Sequence, residues 1–375
     1  MTIKLKIMAN QNMLKGSTIL ITGGTGSWAK ELVKQLLRDH DPKEIRIYSR
    51  NELRQVDMKR QFQDSRLKFM IGDVRDKSRL MLACENVDFV VHTAALKHVP
   101  VCEENPYEAV KTNVLGTENV VEAAVANKVK KAIYVNTDKA VDPLNLYGLT
   151  KACGEKLFIA ANELSPHTKF ACVRAGNVLG TNGSAVPLFK EQIEKLNEIT
   201  ITEKHMTRFF LRVEEAVAML IYTLLNFRGG EVFVTKMPSC KILDLAQVMI
   251  NRLGNKRTKI SYIGIRPGEK IHEVLISKYE SYRTYSFGNY YVILPHIDLP
   301  ETTRHYAGLK LRRLNQEEYT SKNSKFMNKA AILKLLKADG WFEEDELKHP
   351  LFDLKKLDKN ALKNYAESEG WITKK

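Results

Sequence analysis

Between a short β-branched run and an amphipathic helix, the chain places three glycines within four residues: TILIT, then GGTGS, then WAKELVKQLLRD. A glycine turn joining a strand to a helix brings backbone amides close to a ligand at the helix N-terminus, where a pyrophosphate is favoured. Gly23, Gly24 and Gly26 form that turn, and Ala29 takes the third small position, which the dinucleotide fingerprint permits. In the helix, Leu32, Val33, Leu36 and Leu37 fall on one face. The rhythm then repeats. EIRIY, LKFMIGD, VDFVVH, KAIYVN and KFACVRAG read as strands rich in consecutive apolar residues, separated by helices near 52–63, 78–84 and 106–127 and by ACGEKLFIAANEL. Strands of this kind alternating with helices predict an α/β fold, a Rossmann-type doubly wound parallel sheet. Ligands are then expected beyond the carboxyl ends of the strands.

Past Gly176 the pattern loosens. NVLGTNGSAVPLF reads as a loop leading into a helix, VEEAVAMLIYTLL as an apolar helix, EVFVT as a strand, ILDLAQVMINRLG as a helix, and KISYIGIRPGEKIHEVLIS as strand, turn and helix. The expected division is a nucleotide-binding domain over 1–176, with segments near 207–235 returning to it. A smaller C-terminal substrate-binding lobe follows over 177–340, then a charged helical appendage over 341–375.

Composition narrows the function classes. The longest near-apolar run, AVAMLIYTLL, is too short to span a bilayer, and the N-terminus carries no continuous apolar segment of signal-peptide type. Five scattered cysteines without C-x-x-C spacing read as reduced thiols of a cytoplasmic protein. The net charge of +15 is spread along the chain among acids, with no nucleic-acid motif, so no nucleic-acid or membrane partner is expected. His92, His98, His205 and His272 lack metal-ligand spacing, and no metal is expected.

The chemistry concentrates in VNTDKAVDPLNLYGLTK, which follows the apolar run KAIYV. An acid and a base, Asp138 and Lys139, stand side by side, and Tyr147 and Lys151 form a Tyr-x-x-x-Lys pair. Two other pairs share that spacing, Tyr107/Lys111 and Tyr306/Lys310, but only Tyr147/Lys151 opens a helix just after a strand of the nucleotide domain. Residues i and i+4 share a helix face. At the end of the second strand Ser49 is followed by Arg50, which suits the 2′-phosphate of NADP, whereas nearby Glu52 leaves NAD open. Asp73 in GDV is expected near adenine or, more plainly, as a helix cap.

The segments TGGTGS, GDVRD, AALKHVP, KTNVLGTENV, TDKAVDPLNLYGLTK, HMTRF, EVFVTKMPS and RPGEKIHE together resemble the extended short-chain dehydrogenase/reductase superfamily. Within it they are similar to the soluble UDP-N-acetylglucosamine 4,6-dehydratases, most closely the 5-inverting type of the pseudaminic acid pathway. The resemblance runs from about Thr18 to Leu336. It implies a UDP-sugar substrate, a nicotinamide cofactor used catalytically, and a homo-oligomer, dimer or hexamer. Gly23, Thr25, Gly26, Ser27, Ser49, Arg50, Asp73, Val74, Ala94, Ala95, Lys97, Tyr147 and Lys151 would hold the cofactor. Tyr147 as phenolate would take the proton of the sugar 4-hydroxyl, helped by Lys151, with Thr137 near C4. Lys139 would take the C5 proton and Asp138 would protonate the departing 6-hydroxyl. Such a pair forms an ion pair in water, so its working state needs the proton on the carboxyl and a coupled titration.

Lys97, Asn177, Arg208, Arg266 and Glu269 would hold the substrate, the two arginines suiting a diphosphate and Glu269 a ribose hydroxyl. Asn113 matches the superfamily asparagine that keeps a helix distortion. Ala175 stands where the family usually has tyrosine. A UDP-sugar 4-epimerase would share the glycine turn and Tyr/Lys pair but has no need of an adjacent acid and base. A 5-retaining dehydratase and a nucleotide-sensing module without turnover also stay open.

Overall fold

The computed structural model describes residues 11–179 and 184–342. The expected appendage falls, beyond Trp341 and Phe342, outside the described residues.

The β-branched runs form strands because both faces of the sheet are covered and no polar alternation is needed. They are β1 (Thr18–Thr22), β2 (Glu44–Ser49), β3 (Leu67–Ile71), β4 (Phe89–His92), β5 (Lys131–Thr137) and β6 (Lys169–Ala175). Later segments supply β7 (Asn177–Val178), β8 (Glu198–Ile201), β9 (Thr207–Leu211), β10 (Val232–Thr235), β11 (Ser239–Lys241) and β12 (Lys259–Tyr262). The last are β13 (Val274–Ile276), β14 (Thr284–Phe287), β15 (Tyr290–Ile293), β16 (Arg312–Arg313) and β17 (Tyr319–Thr320).

One ten-stranded sheet has the order β16-β14-β15-β10-β6-β5-β4-β1-β2-β3. The seven strands from β10 to β3 are parallel, and β15, β14 and β16 extend that sheet antiparallel. Helices Ser27–Asp39 and Val213–Asn226 pack together, as do Lys77–Ala83, Gly116–Ala126 and Leu146–Ala160, so the sheet is doubly wound. The order turns between β1 and β4, and a crevice opens there at the carboxyl ends. A second core joins helices Ala185–Leu196, Ile242–Leu253 and Lys329–Ala338 with Trp341 and Phe342. Small sheets β11-β9-β7, β12-β8 and β13-β17 lie outside the main sheet.

Three local expectations change. The segment read as a single helix near 106–127 is helix Pro106–Val110, a π turn Lys111–Leu115 and helix Gly116–Ala126. HEVLIS, read as helix, is extended: β13 pairs antiparallel with β17, and His272 bridges to Thr207. With only Val274, Leu275 and Ile276 as an apolar run, the segment lacks a helical stripe. The helix starts one step later, where Ser277 and Glu280 close a capping box over Lys278–Ser281. Asn177 and Val178, read as loop, form β7 beside β9. Within 207–235, helix Val213–Asn226 packs on helix Ser27–Asp39 and β10 joins the ten-stranded sheet, whereas β9 pairs in a small sheet.

Candidate active site at the carboxyl edge of the sheet

The glycine turn follows β1. Gly23 has φ +66, and a Cβ there would meet the Ala94 amide at 2.8 Å, so the β1 and β4 ends approach too closely for a side chain. Helix Ser27–Asp39 begins at Gly26 with no side-chain cap. The first amides of a helix have no intrahelical acceptor, and such amides are the donor set that a pyrophosphate takes. Thr25 is buried and Ser27 heads the helix. At the β2 end, Ser49 is buried and its hydroxyl accepts from Gln55 Nε2. The Arg50 side chain is 56% exposed, its guanidinium 3.9 Å from the Asp73 carboxylate. Asp73 is not the cap of the next helix. Asp76 is, accepting from the Arg79 amide, while Asp73 accepts from Arg75. Burial raises the Asp73 carboxyl, but the Arg75 bonds outweigh it and hold the group below its ordinary range. Val74 is buried against Gly116, where the π turn gives way to helix. These residues fit a dinucleotide.

The π turn has a cause in Asn113. Its Nδ2 donates to Leu96 O at 2.9 Å and to Thr150 Oγ1 at 3.0 Å, and its Oδ1 accepts from Leu96 N at 2.8 Å. The side chain thus clamps the segment after β4, which carries Ala94, Ala95 and Lys97, to helix Leu146–Ala160. His92 joins the same network. Thr117 Oγ1 spends its proton on Asn113 O, so His92 Nε2 donates to Thr117 and His92 Nδ1 accepts from Thr22. Full burial pushes this histidine down to about 3, and it stays neutral.

Helix Leu146–Ala160 starts at Asn145, whose side chain accepts from Gly148 N at 2.8 Å and donates to Gly268 O at 2.9 Å. One residue thereby fixes both the helix carrying Tyr147 and the loop carrying Arg266. Lys151 Nζ donates to Val135 O at 2.7 Å and lies 3.8 Å over the Tyr134 ring. Burial draws Lys151 down to about 7 and pushes Tyr147 up to about 12. The cation that works against this rise is Lys139, aided by the Thr137 hydroxyl. The sequence pointed to Lys151 for that effect.

Asp138, Lys139 and Ala140 form a 3₁₀ turn at the β5 end, with Thr137 accepting from Lys139 N. Lys139 Nζ is 3.1 Å from Asp138 Oδ1 and 3.4 Å from Glu273 Oε1. Thr137 Oγ1 donates to the same Asp138 oxygen at 2.9 Å. Lys139 keeps 28% of its side chain exposed, whereas Asp138 and Glu273 keep 1% and 3%. Lys139 is therefore half-buried, with its ammonium held by two buried carboxyls. Burial and Glu273 raise Asp138, and the carboxylates keep Lys139 raised despite burial. Glu273 is held low by Lys139, Arg208 and Lys270, against burial.

The substrate candidates divide. Arg208, expected as a cation for a diphosphate, is buried. It donates to Thr207 O, Ile271 O and Lys270 O and lies within 3.5 Å of Glu269 and Glu273, so its charge serves the protein interior. Arg266 is exposed in a turn closed by Glu269 N and Arg266 O. Asn177 begins β7 with its Oδ1 buried and without a protein partner, and Lys97 is exposed beyond β4. Ala175 is buried at the β6 end, opposite Thr137. Glu273 was missed although it closes the motif RPGEKIHE. A carboxylate read within a helix gives no sign of lying against Lys139, and only the β13 register brings it there. Among the described residues no cluster of His, Cys, Asp and Glu is arranged to hold a metal ion, and no helix is long and apolar enough to cross a membrane.

Residues 19–295 match the family model described as polysaccharide biosynthesis protein. The UDP-N-acetylglucosamine 4,6-dehydratase (inverting) of Campylobacter jejuni serotype O:23/36 is 48% identical over 76% of this chain and 85% of its own. The UDP-glucose 4-epimerase of Rickettsia akari is 43% identical over 89% and 99%. Among solved structures, Pen from Bacillus thuringiensis is 36% identical and superposes with a TM-score of 0.81, covering 88% of this chain and 99% of its own. With the crevice, the Tyr/Lys helix and the glycine turn in place, the chain belongs to the polysaccharide biosynthesis protein family, built on the NAD(P)-binding extended short-chain dehydrogenase/reductase fold.

Proposed function

We propose that the protein is a UDP-N-acetylglucosamine 4,6-dehydratase that inverts C5. The observation that carries this reading is the half-buried Lys139 ammonium 3.1 Å from the buried Asp138 carboxyl, near Tyr147 at the mouth of β5. A 4-epimerisation needs a proton acceptor at the 4-hydroxyl only. An elimination across C5 and C6 needs a base and an acid together. The nicotinamide ring, when bound, supplies reversible hydride acceptance, and the Ser49-Arg50 end of β2 favours NADP over NAD.

Tyr147 takes the 4-hydroxyl proton, with Thr137 holding the same oxygen region. At the 4-keto stage the C5 hydrogen is acidic. Lys139 takes it, the C5–H electron pair forms the C5=C6 bond, and the 6-oxygen leaves as water with the Asp138 proton. The hydride taken from C4 then returns to C6 and C5 receives a proton, which closes the balance at the loss of one water. Lys97, Asn177 and Arg266 hold the nucleotide sugar in this reading, Arg266 at the diphosphate and Glu269 at a ribose hydroxyl. The nucleotide half and the sugar-binding lobe meet over the crevice. Five unpaired thiols accord with a cytoplasmic setting. Exposed Tyr107 and Val110 on helix Pro106–Val110, Leu115 on the π turn and Leu149 on helix Leu146–Ala160 favour a homo-oligomer, which light scattering measures directly.

Incubating the purified protein with UDP-N-acetylglucosamine in deuterated water tests the reading. The expected product is lighter by one water, deuterated at C5 and of L-arabino configuration by proton NMR. The epimerase-named relatives, less identical but spanning more of this chain, carry the second reading, 4-epimerisation. It predicts an unchanged mass and an inverted C4. A D-xylo product would instead mean retention at C5. Lys139→Ala should lower dehydration by roughly 100-fold or more, and an unimpaired variant would remove Lys139 as the base.

A further inference from the structure

Four charged groups converge beneath the crevice, from three separate elements. Asp138 and Lys139 come from the β5 end, Arg208 from β9, and Glu273 from the residue just before β13. Lys139 Nζ lies 3.1 Å from Asp138 Oδ1 and 3.4 Å from Glu273 Oε1, and that same Glu273 oxygen lies 3.4 Å from Arg208 Nε. The backbone holds Glu273 firmly: its N–H donates to Ser321 Oγ at 2.9 Å, and its carbonyl accepts from Ser321 N at 2.8 Å. Asp138 Oδ2 and Glu273 Oε2 are both buried without a protein partner.

The two carboxyls are not equivalent. Among the described residues two cations, Lys139 and Arg208, lie 3.4 Å from Glu273, whereas the ion pair to Asp138 comes from Lys139, which Glu273 shares. A buried carboxylate oxygen with no donor disfavours full charge. Of the pair, Asp138 is therefore the one that accommodates a proton. This matters because an acid and base side by side would otherwise neutralise each other as an ion pair.

We propose that Glu273 is a positioning residue of the acid–base pair: it is the resident counter-charge of Lys139 and Arg208 and leaves Asp138 to carry the proton that the leaving hydroxyl receives. The proposal rests on the dehydratase reading and names a group outside the Asp138/Lys139 pair. In the working form, protonated Asp138 and neutral Lys139 accompany an ionised Glu273–Arg208 pair. Elimination moves one proton from C5 to Lys139 and one from Asp138 to the departing oxygen. It ends with Asp138 and Lys139 charged, each beside an opposite charge, and the cluster's net charge is unchanged throughout. Glu273 also makes Lys139 a stronger base, because its charge stabilises the ammonium that forms.

The pH dependence separates this role from a structural one. The groups facing the cluster are Asp138, Lys139 and Tyr147 from the β5 turn and its helix, Arg208 from β9, and Glu269, Lys270 and His272 from the segment of Glu273 itself, with Asp142 near Lys270. A negative Glu273 raises both apparent values of the Asp138/Lys139 pair, which titrates as a unit. In Glu273→Gln both limbs of the kcat profile should move toward acid by about one pH unit, with kcat lowered at least ~10-fold at the wild-type optimum. Glu273→Asp keeps the charge and should keep the position of the bell. Arg208→Gln removes the opposing charge and should move both limbs toward alkali.

The experiment follows water loss from UDP-N-acetylglucosamine by mass spectrometry across pH for the four proteins. If wild type releases no dehydrated product, the dehydratase reading fails. If wild type is active and Glu273→Gln keeps both limbs in place, the Glu273 proposal fails and its role is structural. Should Glu273→Gln not fold, Arg208→Gln decides: an alkaline shift supports the counter-charge account, and an unmoved bell overturns it.

Discussion

Tyr147 carries an internal conflict at the scale of one side chain. Burial pushes its hydroxyl up to about 12, yet the proposed role requires the phenolate. The groups that favour ionisation are Lys139 and Thr137, both on the β5 turn, while Asp138 opposes it. The tyrosine and the acid–base pair are therefore electrostatically joined, and a change in one should be felt in the other. Tyr147→Phe removes the ionisable oxygen and leaves the ring packed against Cys102 and Ala109. It should lower kcat by roughly 10²- to 10⁴-fold and leave UDP affinity near wild type, measured by calorimetry. Unchanged turnover would assign the first proton to another group. Lys151, drawn down to about 7 by burial, is held by Val135 O and the Tyr134 ring, so its place depends on β5 as much as on its own helix.

At the scale of elements, the active turn is held by an approach that allows no side chain. A Cβ on Gly148 would fall far inside contact distance of Lys139 O and 3.0 Å from Pro143 Cβ. The first turn of helix Leu146–Ala160 thus rests directly on the 3₁₀ turn Asp138–Ala140. Gly148→Ala must displace that backbone, at a cost of about 1–3 kcal/mol, and misplace both proton-transfer groups. The expected result is a folded protein with at least ~100-fold lower kcat and a lower midpoint in urea. A variant with both unchanged would show that the turn yields freely. Gly148 drew no notice in the sequence, because a helical glycine looks ordinary until the carbonyl above it is known. What was legible followed from local pattern. TILIT-GGTGS-WAKELVKQLLRD announces strand, phosphate turn and helix within one window, and the Asp138-Lys139 and Tyr147-Lys151 pairs lie close enough to be read as one site. What was not legible depends on pairing between distant segments. Glu273 reaches Lys139 across 134 residues, and Arg208 turns inward because the carbonyls of 270 and 271 come to meet it.

At the scale of the whole molecule, the lobe is pinned to the sheet by buried charge. Arg174 on β6 donates to Glu155 through Nε at 2.8 Å, and to Glu280 through Nη1 at 2.9 Å and Nη2 at 2.7 Å. It also donates to Leu275 O, and Asn136 Nδ2 donates to Glu155 at 2.7 Å. Glu155 belongs to the helix of Tyr147, Asn136 adjoins Thr137, and Glu280 follows β13, just past Glu273. One guanidinium therefore ties the Tyr/Lys helix and the parallel sheet to the segment that carries Glu273. Burial works to raise Glu280, but Arg174 and the capped Ser277 amide bring it down to about 2 from an ordinary value of 4.5. A carboxyl whose value is lower in the folded state binds fewer protons there than in the unfolded chain. Its contribution is complete above pH 4.5 and is lost as pH falls toward 2. The shift corresponds to about 3 kcal/mol. Glu280→Gln should lose most of this at pH 7, and its unfolding free energy should fall less steeply than that of wild type between pH 5 and 3. Urea unfolding of both proteins at each pH isolates the term, because every other titrating group is common to the pair. Curves that stay parallel would mean Glu280 binds its proton equally in both states, and the Arg174–Glu280 pair would then add nothing to the pH dependence of folding. If they converge on acidification, acid should also loosen the lobe before the sheet, and kcat/KM for the nucleotide sugar should fall at a higher pH than the far-ultraviolet signal of the fold.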